Sequence, residues 1–452
     1  MSGISIILFL IIITHVFLLS KLVFFPYPEL FIYSYLTKIG LVPYRQIFDQ
    51  HFPGIMFFPI NLATLGIDTP QEARILHLGI VIITHILLFG IGKRLFKSNL
   101  YALISSLLYL LWQPFFEGYV LWIDSFIPLF LLPAFYFLVG KKSKKDLFLT
   151  GLFLGIALLF KQVVGPLIFL ILLYLIYDAK SLKTIKTFLY GLAIPVAILV
   201  FFVAYNNIWQ DFIFWTITFN LTTFAEMGRK YPDIAGAIKV LPLFATAFVS
   251  LSFAYSKKKS NELLITMLFT LGSFLFAYAR FDFIHLQPAI PFAILGIVLG
   301  LKYFSKKMER YLLGLYILFS LIILIPFYRV TLGNKVLFFG EVETKISEAV
   351  LEHADSGDSV FAFGTTPHLY YLTKTRPPGN VFVFQFPWFM VEAENRILEG
   401  IIEDPPKVVV RDKNSEVQDM NLVEYMPKIN SHVEKYYRVV DKVGGAEIMV
   451  PN

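Results

Sequence analysis

The chain has 452 residues, of which 57% are hydrophobic, 17% aromatic and 16% charged, and its formal net charge is +7. An ordinary globular domain carries roughly 25% charged residues, so this composition excludes a water-soluble protein of the usual kind and indicates an integral membrane protein. The chain has no cysteine, which excludes a disulfide framework, a thiolate metal site and a cysteine nucleophile. Its basic residues lie in short runs between apolar segments, a pattern that orients membrane helices, and we expect no nucleic-acid partner.

The apolar segments predict about 11 transmembrane helices, because roughly 20 residues of helix cross a bilayer. The predicted spans are residues 4–24, 75–93, 99–112, 122–140, 147–160, 163–177, 187–206, 236–255, 261–279, 288–302 and 310–328. The first span is long and lacks a small-residue cleavage site, which predicts an uncleaved helix rather than a signal peptide. The spans near residues 99, 147 and 163 are short, which indicates either broken helices beside a polar cavity or one re-entrant pair.

Basic residues cluster in alternate loops between these spans. They are Lys93, Arg94, Lys97, Lys141, Lys142, Lys144, Lys145, Lys180, Lys183, Lys186, Lys257, Lys258, Lys259, Lys302, Lys306, Lys307 and Arg310. The positive-inside rule places these loops and the N-terminus in the cytoplasm. It therefore predicts a multi-pass protein of the cell membrane, with residues 329–452 on the extracytoplasmic side.

The predicted fold is an all-α polytopic membrane domain with a small extracytoplasmic α/β domain. The membrane domain covers residues 1–328 and includes two long outer loops, 26–74 and 207–235; the first is expected to hold helices lying along the membrane surface. The soluble domain covers residues 329–452, where Asp358–Phe363 and Lys407–Val410 predict short buried strands and Ile346–His353 a helix. No internal repeat is evident, which disfavours a transporter built from two related halves.

Two acidic residues on the predicted outer side are candidates for chemistry. Glu29 follows the first helix, and Asp124 precedes a short one. Each could accept a proton from an incoming nucleophile, or could be a charge in the first turn of a helix. Two carboxylates on one side of the membrane favour acid–base or metal chemistry.

Three basic residues on the same side are candidates for binding a phosphate. Lys161 lies outside against the general charge bias, so it either extends to lipid headgroups or binds one particular lipid phosphate. Arg280 and His285 lie in a tight turn between two spans. They could hold a phosphate or pyrophosphate, although Arg280 could instead pair with Asp282.

The first outer loop contains a polar segment bounded by prolines. Tyr44, Arg45, Asp49 and His51 lie between Pro43 and Pro53. An Asp–His pair falls short of a metal site, which needs more ligands. The segment is either a supporting part of a site or a polar bend between two surface helices.

In this order the motifs resemble the polytopic GT-C-type glycosyltransferases, in particular bacterial members related to protein mannosyltransferases and to the lipid A aminoarabinose transferase, a lipopolysaccharide-modifying group. The resemblance covers residues 1 to about 330. It rests on Glu29 and Tyr33, Gly40 to Tyr44 leading to Asp49-Gln-His-Phe-Pro-Gly, Arg74, Asp124, Gly151, Gly155 and Lys161, and Arg280 with His285 before Pro288. The sequence departs from the family where Pro28-Glu29 replaces an Asp or an Asp-Glu pair, and where His51-Phe-Pro replaces His-Pro-Pro.

The resemblance implies a donor that carries a sugar on polyprenyl phosphate and is used at the outer leaflet. Glu29 would be the base or orienting group for the acceptor, and Asp124 would be the second acidic position. Lys161 and Arg280 would neutralise the lipid phosphate as it leaves, with His285 near it. Tyr44, Arg45, Asp49 and His51 would belong to the acceptor side or its supporting loop.

The predicted function is that of a membrane glycosyltransferase acting on an extracytoplasmic glycolipid, cell-envelope glycan or protein. Direct displacement at the sugar would invert its anomeric centre. The alternatives are a transporter or lipid flippase with an outer domain, and a polysaccharide polymerase or ligase. No cofactor is assigned, although a divalent cation such as Mg²⁺ or Mn²⁺ is an open alternative with Glu29 and Asp124 as its candidate ligands.

Overall fold

The computed structural model describes residues 3–178, 182–333, 335–364 and 366–452, so the predicted inner-loop residue Lys180 lies outside the described residues. The α-helices are α1 Gly3–Lys21, α2 Pro28–Lys38, α3 Pro70–Phe96, α4 Asn99–Trp112, α5 Ile123–Phe126, α6 Pro128–Leu138, α7 Lys144–Phe160, α8 Gly165–Asp178, α9 Leu182–Tyr205, α10 Trp209–Ile213, α11 Phe219–Leu221, α12 Ile234–Lys257, α13 Asn261–Phe274, α14 Ile290–Leu301, α15 Lys306–Thr331, α16 Glu341–Leu351, α17 Leu369–Thr373, α18 Pro387–Glu403, α19 Leu422–Tyr425 and α20 Pro427–Tyr436. The strands are β1 Phe25–Pro26, β2 Ile47–Phe48, β3 Val120–Leu121, β4 Val360–Phe363, β5 Phe382–Val383, β6 Val408–Arg411, β7 Glu416–Val417, β8 Met420–Asn421, β9 Tyr437–Val443 and β10 Ala446–Pro451.

A helix lies at each of the predicted membrane spans. Over the described residues, 7 helical segments are long and apolar enough to cross a membrane. They are Gly3–Lys21, Pro70–Phe96, Leu182–Tyr205, Ile234–Lys257, Asn261–Tyr278, Phe283–Leu301 and Lys306–Thr331. The spans predicted near residues 99, 147 and 163 are short helices, as expected, and the span predicted at 122–140 is also short, because α5 and α6 start only at Ile123 and end at Leu138.

The chain divides into two compact units. Unit 1 contains Met1–Phe25, Gln71–Phe201 and Lys230–Lys335, and unit 2 contains Pro26–Pro70, Phe202–Arg229 and Val336–Asn452. Unit 1 therefore holds most of the apolar helices. Unit 2 holds most of the two long loops together with the C-terminal segment.

The core of unit 1 surrounds the segment Phe283–Leu301. Within its most apolar stretch of 18 residues, 94% of the residues are buried although the composition suits a membrane span, so their neighbours are protein side chains. Every residue of α14 is buried, and the helix packs on α4, α12 and α13. An apolar helix that is buried on all sides is typical of the centre of a membrane bundle.

Glycines allow α7 and α9 to approach closely. A Cβ at Gly151 would lie 2.0 Å from the carbonyl oxygen of Phe188, and one at Gly191 would lie 2.0 Å from that of Phe148. Small residues at helix contacts are common in membranes because they let backbones touch. Gly151, which is part of the motif leading to Lys161, is thus explained by packing.

Unit 2 contains a sheet of four strands in the order β4-β6-β10-β9. Strands β4 and β6 are parallel, with Val360 opposite Val408, whereas β10 is antiparallel to both of its neighbours. The strands β4 and β6 are fully buried. The α/β character predicted for the C-terminal segment is therefore confirmed, and both predicted strands are found within about two residues of their expected positions.

The long loops of unit 2 pack on its C-terminal segment. Strand β2 pairs in parallel with β5, so that Ile47 lies opposite Phe382. In the second loop, the ring of Phe219 stacks on Phe389 with centroids 4.9 Å apart. The first loop contains the eleven-residue helix α2 and the short 3₁₀ helix Ala63–Leu65, and is otherwise largely irregular.

Candidate functional site

Asp124, Lys161 and His285 form a buried polar cluster in unit 1. The Nζ atom of Lys161 lies 2.6 Å from Oδ2 of Asp124 and 3.0 Å from Nδ1 of His285, and this ring nitrogen lies 2.9 Å from the same carboxylate oxygen. The side chain of Asp124 is 0% exposed and that of Lys161 only 5%. Three residues selected separately from the sequence thus contact one another.

Local structure explains how each side chain reaches the cluster. Asp124 lies in the first turn of α5, directly after the extended pair β3. Lys161 follows the last residue of α7 and has an extended backbone, which ends that helix before the short helix Gln162–Val164 begins. His285 lies in the 3₁₀ helix Phe283–Ala289 that leads into α14.

Some hydrogen-bonding groups of the cluster have no partner among the described protein atoms. Oδ1 of Asp124 is buried and has no hydrogen-bond partner within the described part of the chain. An ammonium group has three donors, of which Lys161 directs two at Asp124 and His285. Nδ1 of His285 donates to Asp124 when it carries a hydrogen and accepts from Lys161 when it does not, so the imidazole tautomer decides which of these two contacts is a hydrogen bond.

The burial of Lys161 contradicts one of its two sequence interpretations. A lysine that extends to the lipid headgroups would keep its ammonium group at the aqueous surface. Instead, this group lies among protein atoms and is paired with a carboxylate. Extension to the headgroups is therefore wrong for Lys161.

Arg280 lies outside this cluster. Its Nε atom lies 2.9 Å from Oδ2 of Asp282, whose other oxygen accepts from Lys230 at 2.7 Å. The pairing of Arg280 with Asp282, which the sequence offered as one alternative, is present. Two cations thus share one partly buried carboxylate, and the group carries a net positive charge.

Two residues that the sequence did not single out join the segments carrying Asp124 and His285. The carboxylate of Glu117 accepts the backbone N–H of Ile284 at 2.9 Å, and the side-chain amide of Gln287 donates to the carbonyl of Gln113 at 2.9 Å and to that of Phe116. Burial raises the pKa of Glu117. Gln287, a polar residue directly before an apolar helix, is the signal in the sequence that could have indicated such a contact.

Glu29 is the centre of a second polar group, in unit 2. It lies in the first turn of α2, which begins at Pro28, yet the residue is only 8% exposed and its Oε2 atom has no partner among the residues that the structure describes. Burial, with a smaller contribution from the charge of Asp49, raises the pKa of Glu29 from 4.5 to about 8. A carboxyl group with a pKa near the working pH is suited to exchange protons.

The polar residues of the first loop form a network beside Glu29. Asp49 accepts from the hydroxyl of Tyr33 at 2.8 Å through one oxygen and from the backbone N–H of His51 at 2.7 Å through the other. The hydroxyl of Tyr44 donates to the carbonyl of His51 at 2.8 Å. Asp49 therefore closes a turn around His51 and places its negative charge near Glu29.

Arg45 does not join this network. Its Nε atom lies 3.2 Å from Oδ2 of Asp211, and its guanidinium group also donates to the carbonyl of Asn207. Both partners belong to the second long loop. The position of Arg45 in unit 2 is thus explained by loop-to-loop pairing.

The residues of these groups do not form a metal ligand set. Within the described ranges, no three His, Asp or Glu side chains lie close enough together to hold a metal ion. At Asp124, one oxygen is already bound by the ammonium group of Lys161.

The comparisons with known proteins agree with this architecture. The family model of dolichyl-phosphate-mannose-protein mannosyltransferases matches residues 51–206. The crystal structure of ArnT from Cupriavidus metallidurans, bound to undecaprenyl phosphate, superposes with a TM-score of 0.68 at 11% identity, and the match covers 99% of this chain and 98% of that chain. The chain has the GT-C glycosyltransferase fold.

Other proteins with the GT-C fold are also similar. The archaeal oligosaccharyltransferase AglB from Archaeoglobus fulgidus, in complex with an inhibitory peptide and a dolichol-phosphate, gives a TM-score of 0.54 at 10% identity, covering 98% of this chain and 76% of that one. The arabinofuranosyltransferase AftD from Mycobacteria gives 0.50 at 12% identity, covering 98% and 40%. No curated protein sequence matches the chain. The chain is thus a multi-pass membrane protein with the GT-C fold, as its motifs predicted.

Proposed function

We propose that the protein is a membrane glycosyltransferase that moves a sugar from a polyprenyl-phosphate donor to an extracytoplasmic acceptor. The observation that carries this proposal is the buried Asp124–Lys161–His285 cluster in a chain with the GT-C fold. In this cluster a lysine and a histidine lie beside a carboxylate that has one oxygen without a hydrogen-bond partner among the described residues. The similar ArnT structure is one bound to undecaprenyl phosphate, which supports a polyprenyl phosphate as the lipid part of the donor.

The cluster is suited to the departure of the lipid phosphate. When the bond between C1 of the sugar and the phosphate oxygen breaks, its electron pair stays on that oxygen and the phosphate gains one negative charge. A cation held in a site that excludes water stabilises such a charge strongly. Lys161 would supply this cation with its remaining donor, and Asp124 would hold Lys161 in place.

His285 and Arg280 would assist at the same phosphate. His285 can donate a hydrogen bond or carry a proton, depending on the partner of its Nδ1 atom. Arg280 belongs to a group with net positive charge, and a guanidinium group suits the oxygens of a phosphate. Both residues lie in the segment that precedes α14.

Glu29 would accept the proton of the acceptor. The attacking hydroxyl or amine forms the new bond to C1 on the side opposite the leaving phosphate, so the anomeric centre is inverted. The proton of this hydroxyl or amine passes to a carboxylate. Glu29 suits this role because it is buried and its Oε2 atom has no hydrogen-bond partner among the described residues. Asp49, His51 and Tyr44 would support the loop beside Glu29, and Arg45 would tie that loop to the second one.

The proposal names the chemical class of the acceptor, and it takes the orientation in the membrane from the distribution of charge. A glycolipid, a cell-envelope glycan or a protein would each present a hydroxyl or amine outside the cytoplasm. The positive-inside rule favours a cytoplasmic N-terminus and an extracytoplasmic C-terminal segment. A divalent cation is not required by the chemistry proposed, because Lys161 supplies the positive charge.

The test is donor turnover by the purified protein in nanodiscs. A panel of polyprenyl-phosphate sugars is incubated with candidate acceptors, and the release of polyprenyl phosphate is measured. We expect one donor to be turned over by the wild type and by Lys141→Met, which removes an exposed lysine, and turnover to fall at least ~100-fold in Asp124→Asn and Glu29→Gln.

Two outcomes would contradict the proposal. Absence of turnover with every donor and acceptor would overturn the enzymatic function. Movement of intact lipid-linked sugar across a proteoliposome membrane, without release of polyprenyl phosphate, would instead favour the flippase alternative.

A further inference from the structure

The two segments that carry Asp124 and His285 are joined by more hydrogen bonds than the cluster itself provides. We call residues 113–126 the Asp124 segment and residues 280–289 the His285 segment. Glu117 of the first segment binds the backbone N–H of Ile284, and Gln287 of the second binds the carbonyls of Gln113 and Phe116. Ile284 and Gln287 lie on either side of His285 in the sequence, so the backbone that carries the imidazole is held from both sides.

The hydrogen bond from Ile284 to Glu117 pairs a backbone N–H group that would otherwise lack an acceptor. Ile284 lies at the start of the 3₁₀ helix Phe283–Ala289, where backbone N–H groups lack partners within the helix. A carboxylate is a strong acceptor for such a group. Because the N–H of Ile284 is fixed, the following residue, His285, has little freedom to rotate its backbone.

The turn to which Gln287 binds is itself held by buried side chains. Oε1 of Gln113 lies 3.1 Å from Nε2 of His15, and its amide nitrogen donates to the carbonyl of Gly118 at 3.0 Å. The same carbonyl lies 2.8 Å from Nε2 of His77. A Cβ at residue 118 would lie 2.2 Å from Oε1 of Gln113, so this arrangement requires a glycine there.

The Asp124 segment is also fixed at its other end. The hydroxyl of Ser125 donates to the carbonyl of Val120 at 2.9 Å and accepts from the N–H of Trp122 at 3.3 Å. The backbone on both sides of Asp124 is thus closed by hydrogen bonds. A cluster of three side chains at 2.6–3.0 Å tolerates little displacement, since misplacement by about 1 Å can cost 100-fold in rate.

We propose that Glu117 and Gln287 are positioning residues that hold His285 at the distance and orientation from which its Nδ1 atom reaches both Asp124 and Lys161. Neither residue touches the sugar or the phosphate in this role. The buried His15–Gln113 contact gives the turn under Gln287 its rigidity. The catalytic part of this inference rests on the proposed glycosyltransferase function, whereas its structural part does not.

The experiment compares Glu117→Leu, Glu117→Gln and Gln287→Leu with the wild type, all as full-length protein in nanodiscs. Glutamine at position 117 keeps an oxygen that can accept the N–H of Ile284, whereas leucine does not. Lys302→Met is the matched control, because it removes another side-chain hydrogen bond to a carbonyl, that of Phe96, at the far end of α14. The two leucine variants are independent, so the failure of one to fold leaves the other.

The first readout is the ¹⁵N NMR spectrum of labelled histidine. The chain has 8 histidines, and the resonances of His285 are identified by their loss in His285→Ala. We expect them to shift in Glu117→Leu and Gln287→Leu, and to keep their wild-type positions in Glu117→Gln and Lys302→Met. Unchanged resonances in both leucine variants would overturn the inference, whatever reaction the protein catalyses.

The second readout is donor turnover. We expect kcat to fall about tenfold in each leucine variant, as for other residues that orient a catalytic group, while KM for the donor changes less than about twofold and Glu117→Gln restores kcat. In a His285→Ala background, adding Gln287→Leu should cost less than about twofold, because the residue acts through His285. A full tenfold further loss in that background, or a Glu117→Gln variant as slow as Glu117→Leu, would contradict the assignment. If the wild type turns over no donor, the proposed function fails and the NMR readout alone decides this inference.

Discussion

At the scale of single residues, Asp124 and Lys161 depend on each other. Both are buried, and each would be an uncompensated charge without its partner. Breaking a buried ion pair from one side costs about 3–5 kcal/mol, whereas replacing both partners by neutral groups costs far less. Structural and chemical roles of the pair can therefore be separated by comparing single and double variants.

We expect Lys161→Met to lower thermal stability strongly, by about 3–5 kcal/mol, because Asp124 is left without its cation. The double variant Lys161→Met/Asp124→Asn should regain most of this stability. Donor turnover should remain lost in both, since neither has the ammonium group that we propose stabilises the leaving phosphate. Thermal unfolding and phosphate release measure the two effects, and a double variant that recovers turnover would show that the ammonium group has no chemical role.

Glu29 should give the reaction a characteristic pH dependence. With its pKa raised to about 8 by burial, the carboxyl group is mostly protonated at pH 7, and the basic form increases about tenfold per pH unit below pH 8. We expect kcat/KM to rise from pH 6 to pH 8 and then to level off. The comparison is Glu403→Gln, which neutralises an exposed carboxylate of α18 and should keep the same profile; a flat wild-type profile would argue against Glu29 as the base.

The same raised pKa links stability to pH. Between about pH 4.5 and pH 8, the folded protein keeps the proton on Glu29 whereas the unfolded chain loses it. The contribution of Glu29 to the free energy of unfolding is therefore greatest at low pH and falls as pH rises through that interval. Glu29→Gln should remove this part of the decline, which thermal unfolding at pH 5 and pH 8 would reveal as a smaller difference than in the wild type.

Much of the candidate site could be predicted at this scale, because charged residues in apolar surroundings are rare and stand out. Asp124, Lys161 and His285 stand out in the sequence for that reason, and the structure brings them together. Glu117 and Gln287 were not selected, because their role depends on contacts between residues 167 and 174 positions apart. No local pattern in the sequence encodes such a contact.

At the scale of elements, the packing of α7 against α9 depends on glycine. At both Gly151 and Gly191, an added Cβ would overlap the carbonyl oxygen of a residue on the other helix. Close packing of this kind contributes to association of helices in membranes, where no hydrophobic force drives them together. Since α7 ends directly before Lys161, a shift of this helix also moves the lysine.

We expect Gly151→Ala and Gly191→Ala to destabilise the protein by about 1–3 kcal/mol, because an added methyl group overlaps a backbone oxygen. Gly314→Ala in α15 is the control, since nothing lies within 4 Å of a Cβ placed there. That substitution should leave stability unchanged or raise it slightly, because alanine favours a helix over glycine by about 1 kcal/mol. Equal effects at all three glycines, measured by thermal unfolding, would rule out the contact as the cause.

The helices were easier to predict than the assembly of the loops. Membrane helices are marked by long apolar runs, and the structure has a helix at each predicted span. By contrast, the pairing of β2 with β5 joins segments more than 300 residues apart, through two residues each. Strands this short carry no periodic signal, so the sequence did not reveal that the first loop packs on the C-terminal segment.

At the scale of the whole molecule, the distribution of charge predicts the orientation in the membrane. The 452 residues contain no cysteine, which makes a direct test simple, because a single thiol introduced among them is the one maleimide target that they offer. We expect a membrane-impermeant maleimide to label Asp441→Cys in intact cells, and to label Lys258→Cys only after the membrane is permeabilised. The opposite pattern would mean that the chain is inverted, with its C-terminal segment in the cytoplasm.

The spacing of the buried charges has a consequence for biosynthesis. Asp124 and Lys161 are only 37 residues apart, whereas His285 follows Lys161 after a further 124 residues. An uncompensated charge that enters the bilayer is costly, so early neutralisation favours insertion of the segments that carry Asp124 and Lys161. The ribosome supplies both partners of the ion pair long before the histidine, and we expect the nascent chain to carry them into the membrane as a neutral pair. His285, the last member of the polar cluster, then arrives with the segment Phe283–Leu301 that lies at the centre of unit 1.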